Sequence, residues 1–125
     1  MGMIDWKKFC CARDISVEED TIKVFFNNER KHLVRAEEAN DELRVWSIIA
    51  RQAIVAQQKD IQLHIWQRNH ISKLVSYRID GKGRLIGEAW VPKSGLTPDE
   101  FGLYVRTVAA ECDRLEYLLT GRDLD

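Results

Sequence analysis

Nowhere in its 125 residues does the chain hold the roughly 18–20 consecutive apolar residues that a membrane-spanning helix needs. Its start, Met1 to Lys8, has neither the basic segment nor the apolar run of a secretory signal, so a cytoplasmic address is expected. Cysteine is scarce. Cys10, Cys11 and Cys112 are odd in number and lack C-x-x-C spacing, which reads as reduced thiols in a reducing compartment. Neither sign of charge dominates: 19 Lys and Arg face 20 Asp and Glu, a formal charge of -1. No long-range field then points to nucleic acid or to an anionic membrane. Internal repeats and low-complexity tracts are missing too.

What is present is the balance of a soluble globular chain, 45% hydrophobic and 31% charged. The length suits one domain, 1–125, with residues 1–20 as a segment that can stand at its periphery.

The strongest local signals lie in the last third. Val75, Tyr77 and Ile79 alternate up to Asp80-Gly81-Lys82-Gly83, and a return strand runs from Arg84 to Val91. Asp-Gly between two alternating runs predicts a hairpin, because the turn demands positive dihedrals that glycine accepts. Pro92 has no N–H to give and stops the ladder. Thr97-Pro98-Asp99-Glu100 is a capping box with proline at the first helical position. Phe101, Val105, Val108, Cys112, Leu115 and Leu119 then fall on one stripe of a helix, with Arg106, Asp113, Arg114 and Glu116 on the other side and Gly121 as its left-handed end.

Upstream, Met3 to Cys11 reads as a short opening helix and Arg13 to Asp20 as a polar connection. Strands are predicted over Thr21 to Phe26, His32 to Ala39 and Leu43 to Ala50, with turns at Asn27-Asn28-Glu29-Arg30 and Asn40-Asp41. Arg51 to Asn69 carries Ile54, Ile61 and Ile65 on helical spacing and predicts one long helix. The order is α-β-β-β-α-β-β-α, an α+β fold with an antiparallel sheet and helices packed on one face.

No catalytic, cofactor-binding or metal-binding constellation is legible. His32, His64 and His70 lack the spacing of a ligand set and read as surface or helix-end residues. Glu18-Glu19-Asp20 reads as a solvated loop, since acid–base work needs two carboxylates in different environments. Asp80-Gly81-Lys82-Gly83 lacks the spacing of a phosphate loop. Lys73, Arg78, Lys82 and Arg84 surround the hairpin without the aromatic interleaving of an RNA-binding sheet.

The sheet has more apolar residues than one buried face requires. Ile22, Val24, Phe26, Leu33, Leu43, Val45 and Ile49 suit the core, which leaves Phe25, Val34, Trp46, Ile48, Ile86 and Trp90 for the opposite face. Such a surplus marks either a dimer or partner surface, anchored by Trp46 and Trp90, or a face covered by the N-terminal segment. A second class of reading is a small-ligand sensor or enzyme with a cleft between sheet and middle helix, using His64, Asn69 and Tyr77.

The chain resembles the type III secretion chaperone-like fold, and within it the YbjN-type family, best over Ile61 to Gly121. The matching residues are Asn69 at the end of the middle helix, the strands flanking Asp80-Gly81, Pro92, the run Gly95-Leu96-Thr97-Pro98-Asp99-Glu100-Phe101, and Ala109, Asp113 and Leu115. The resemblance implies a protein that binds another protein, commonly as a homodimer, with no cofactor and no chemistry.

Overall fold

The computed structural model describes residues 6–10, 13–26 and 30–120. A short 3-10 helix, Trp6–Phe9, precedes four strands, β1 (Ile15–Glu18), β2 (Thr21–Phe25), β3 (Lys31–Ala39) and β4 (Glu42–Ala50). Two helices follow, α1 (Gln52–Val55) and α2 (Ile61–Ile71), then β5 (Ser76–Ile79), β6 (Leu85–Pro92) and α3 (Pro98–Thr120). The strands form one antiparallel sheet in the order β1-β2-β3-β4-β6-β5.

The α+β architecture expected from the sequence is the one observed, with one strand added. Ile15 and Val17 alternate inward, and β1 pairs with β2 across a two-residue turn in which Glu19 has φ 57°. The stretch expected to be one helix from Arg51 to Asn69 is instead two. Asp60 adopts φ 53° between them, where Gln57-Gln58-Lys59 offers no apolar side chain to hold a continuous helix against the sheet. The hairpin stands where expected, but the positive φ falls on Gly83 (77°), and Asp80 caps the turn by accepting from Lys82 N and Arg84 N. Parts of the opening helix (Met3, Ile4 and Cys11), the Asn27-Asn28-Glu29 turn and the Gly121 cap lie outside the described residues.

Helix α3 starts on the capping box: Thr97 Oγ1 accepts from Glu100 N at 3.2 Å, and Glu100 Oε1 accepts from Thr97 N at 3.3 Å. Phe101, Val105, Val108, Cys112 and Leu115 are buried against the sheet's inner face, which carries Ile22, Val24, Leu43, Val45, Leu85 and Val91. At about 1.5–3 kcal/mol for each large side chain, this stripe is the main tie between helix and sheet. Trp6 and Phe9 close its N-terminal end, with ring centroids 6.3 and 5.7 Å from Phe101. Trp6 and Phe9 therefore pack with α3, not across the opposite face of the sheet.

Candidate functional site: outer sheet face, helical groove and buried cluster

The strand register decides which expected surface residues share a face. Arg44 pairs with Trp90, Trp46 with Glu88 and with Arg35, and Ile48 with Ile86, so these seven side chains stand on the outer face. Phe25 joins them from β2. Val34 does not. It pairs with Ile22, points toward α3 and is 0% exposed, while Leu33 takes the outward position. The local run His32-Leu33-Val34 is apolar or neutral on both faces, so only the pairing with β2 fixes its phase.

Much of this outer face is covered by the chain's own charged side chains. The Trp46 ring, 8% exposed, lies under the guanidiniums of Arg44, Arg35 and Arg84 at 4.5, 5.4 and 5.7 Å from the ring centroid. Each such contact contributes about 0.5–2 kcal/mol, most where water is excluded. Glu88 ties the cover together, accepting from Arg44 Nε at 2.8 Å and Arg78 Nε at 3.1 Å, while Glu37 holds the far side of Arg44 at 2.8 Å. Burial alone would raise the Glu88 carboxyl, but the hydrogen bonds from Arg78 and Arg44 outweigh it and hold it below its ordinary value. Ile86 is fully buried and Ile48 half-buried. Of the six expected surface residues, only Phe25 and Trp90 (46%) keep large exposed areas.

A larger apolar surface lies on the helices, and the sequence reading missed it. Only Ile65 of α2 is buried, whereas Leu63, Trp66 (62%) and Ile71 (71%) are exposed. Trp66 stacks on His70 with centroids 5.3 Å apart. Between α2 and the end of α3 runs a groove of about 580 Å³, lined by Trp66, His70, Ile71, Leu115, Leu118 and Leu119 among others. The signal was present as three large apolar residues on α2 outside the Ile61/Ile65 stripe.

The expected ligand cleft is not formed by its three polar candidates. Asn69 spends its amide on the sheet edge, donating to Tyr77 O at 2.9 Å and accepting from Tyr77 N at 2.7 Å. The Tyr77 ring is buried in the core, where burial pushes its phenol up. His64 lines the helical groove, apart from both.

One histidine departs from its expected surface place. His32 is fully buried beneath α3, beside Asp113 and Glu116, which are buried too and not on the solvent side of the helix. His32 Nε2 lies 2.6 Å from Ser47 Oγ, and Arg30 forms an ion pair with Asp113 Oδ2. Asp113 and Glu116 flank the α3 stripe one and four residues after Cys112, where a helix against a sheet still excludes water.

No protein-family model matches the chain, and no curated protein sequence matches it either. Solved structures do. A chain of the heterodimeric ExoU–SpcU complex from the type III secretion system of Pseudomonas aeruginosa is similar with a TM-score of 0.62 and 18% identity, covering 96% of this chain and 100% of that one. The ExsC–ExsE complex gives 0.58 and 13%, covering 91% and 90%. A chain of the complex of the Yersinia pestis type III secretion chaperone SycH with a stable fragment of YscM2 gives 0.52 and 11%, covering 88% and 98%. The fold is thus that of the type III secretion chaperones.

Proposed function

We propose that this protein is a single-domain, non-enzymatic protein-binding module that acts in the cytoplasm as a homodimer. The observation that carries this reading is the large apolar area left outside on α2 and the end of α3, around Leu63, Trp66, Ile71 and Leu118. Contiguous apolar surface of this kind marks an interaction site, and tryptophan is the residue most enriched at binding hot spots. The likeness to chaperones solved with protein partners supports a polypeptide as the occupant.

In this reading the α2–α3 groove takes a second copy of the chain. A two-fold contact sets the same patch against itself, so Trp66 and Ile71 of each copy enter the groove of the other. The outer sheet face takes the client, with Phe25 and Trp90 as exposed anchors over the Trp46, Ile48 and Ile86 layer and the Arg44, Arg78 and Glu88 lattice setting orientation.

Sedimentation of the wild type beside Trp66→Ser and Trp90→Ser tests both parts. The wild type is expected to run as a dimer at micromolar concentration, Trp66→Ser as a folded monomer, and Trp90→Ser as a dimer that no longer retains the client. A wild type that stays monomeric, or a Trp66→Ser variant that dimerises as well as wild type, overturns the dimer surface.

A further inference from the structure

The indole of Trp46 keeps a polar atom that the chain itself does not serve. Its Nε1–H can only donate, it is buried in a side chain that is 8% exposed, and no acceptor among the described residues meets it. A buried donor left unmade costs stability, so one that persists calls for an acceptor from outside the chain. Three carboxylates serve the arginines around this ring, and none serves the indole. Glu88 accepts from Arg44 Nε at 2.8 Å and from Arg78 Nε at 3.1 Å, Glu37 from Arg44 Nη1 at 2.8 Å, and Asp80 from Arg84 Nε at 2.9 Å. Arg35 is left over: its guanidinium stands 5.4 Å from the Trp46 ring centroid and makes no ion pair among the described residues. Four arginines against three carboxylates leave one positive charge on this patch.

We propose that Trp46 Nε1 and Arg35 together receive the carboxylate of an acidic residue of the client, an inference that rests on the outer sheet face being the client surface and names the chemistry it selects. The indole nitrogen belongs to the ring that Arg35 covers, so both donors lie within the span of the two oxygens of one carboxylate. Neither group has a lone pair to offer, which turns away an ammonium or an amide N–H and admits an anion. One carboxylate also balances the one unmatched charge. The cover over the ring is built of side chains, and Arg35 is its exposed member, whereas Arg44 and Arg84 are half-buried. Arg35 turns off the ring to admit the carboxylate and then closes on it.

The strand register adds the spacing. Trp90 pairs with Arg44 and Glu88 with Trp46, so Trp90 is the diagonal neighbour of Trp46. Such neighbours stand about 7–8 Å apart. In an extended segment, side chains two positions apart project to one side at about 6.5–7 Å, close to that diagonal. The client segment is therefore extended, with an acidic residue over Trp46 and Arg35 and an apolar residue two positions away on the exposed Trp90 ring.

The test follows the four indole N–H signals of the full chain, labelled with nitrogen-15, by NMR. The probe is the synthetic peptide acetyl-Gly-Ser-Glu-Ser-Leu-Ser-Gly-amide, beside the same peptide with glutamine in place of glutamate. The glutamate peptide is expected to move the Trp46 signal downfield, as its donor gains an acceptor, and to move the Trp90 signal with it. The glutamine peptide should bind about tenfold more weakly and leave Trp46 in place. Arg35→Gln should bring the glutamate peptide down to that level, and Arg35→Lys should keep part of the difference. Arg35 is exposed, so both variants should keep the wild-type melting midpoint. Trp46→Phe, which keeps a ring without the donor, should weaken the glutamate peptide several-fold; if it does not fold, the Arg35 pair still decides. Two peptides that move Trp90 alike while Trp46 stays still would overturn the acid site and leave the sheet face as the client surface. Peptides that move neither signal, or only that of Trp66, would remove the client surface as well. Sodium acetate that moves Trp46 as far as the peptide at equal concentration would make the site a general anion trap and overturn its assignment to the client.

Discussion

At Gly87, β6 runs close beneath Cys112 of α3. A Cβ at this position would overlap Cys112 Sγ and crowd Val75 Cγ1 at 3.2 Å and Tyr77 Cε1 at 3.3 Å, all within the core. Gly87→Ala is expected to lower stability by about 1–3 kcal/mol, the usual cost of overpacking. Cys112→Ala in the same chain should restore part of that loss, so a denaturant double-mutant cycle should give a favourable coupling. Glu88 sets a second expectation at this scale. Its folded pKa is lowered, so the stability it contributes is present above the ordinary glutamate range and is lost as pH falls through the depressed value. Glu88→Gln should cost about 1–3 kcal/mol at neutral pH, from weakened bonds to Arg44 and Arg78. Acid titration of stability should then be flatter in the variant than in the wild type.

At the scale of elements, α2 is held to the sheet by Ile65 and by the Asn69 amide. Tyr77 N and O point away from β6 toward the open edge of the sheet, and Asn69 meets both as a neighbouring strand would. Asn69→Ala is expected to cost about 1–3 kcal/mol, because the backbone of a buried residue loses both partners at once. The Tyr77 amide should exchange with solvent much faster in the variant, which hydrogen-exchange NMR would read directly. Asn69 was legible in the sequence only as the end of a helix. Signals carried by neighbours in the chain were read well: the capping box at Thr97, the Asp80 hairpin and the Phe101 to Leu115 stripe each sit within a few residues of one another. Signals that depend on distant partners were not. Nothing near Val34 says that Ile22 will pair with it, and nothing near Asp113 says that His32 lies beneath it. Ile15-Ser16-Val17-Glu18 is a strand because β2 stands beside it; alone, four residues with two apolar positions are indistinguishable from a polar connection. The excess of apolar surface was expected, but on the sheet, because the arginine cover over Trp46 is assembled from β3, β4 and the β5–β6 turn.

For the whole molecule, the four tryptophans divide into two kinds, and this gives the dimer reading an optical test. Trp6 and Trp46 are each 8% exposed, one beside Phe101 and one beneath the arginines. Trp66 and Trp90 stand out in solvent on opposite sides of the fold, one on the helical surface and one on the outer sheet face. A lone protomer should therefore offer two quenchable tryptophans to acrylamide, and a dimer closed over the α2–α3 groove should offer one. Raising the concentration of the wild type should remove one quenchable population, and Trp66→Phe should lack that population at every concentration. Association also favours the folded state by mass action, so the wild-type melting midpoint should rise with protein concentration. Trp66→Ser should lose that dependence while its stability in dilute solution stays within about 0.5 kcal/mol of wild type, since Trp66 is an exposed side chain. If instead two populations remain quenchable at all concentrations and the midpoint does not move, the groove is not closed by a second copy, and the dimer reading fails.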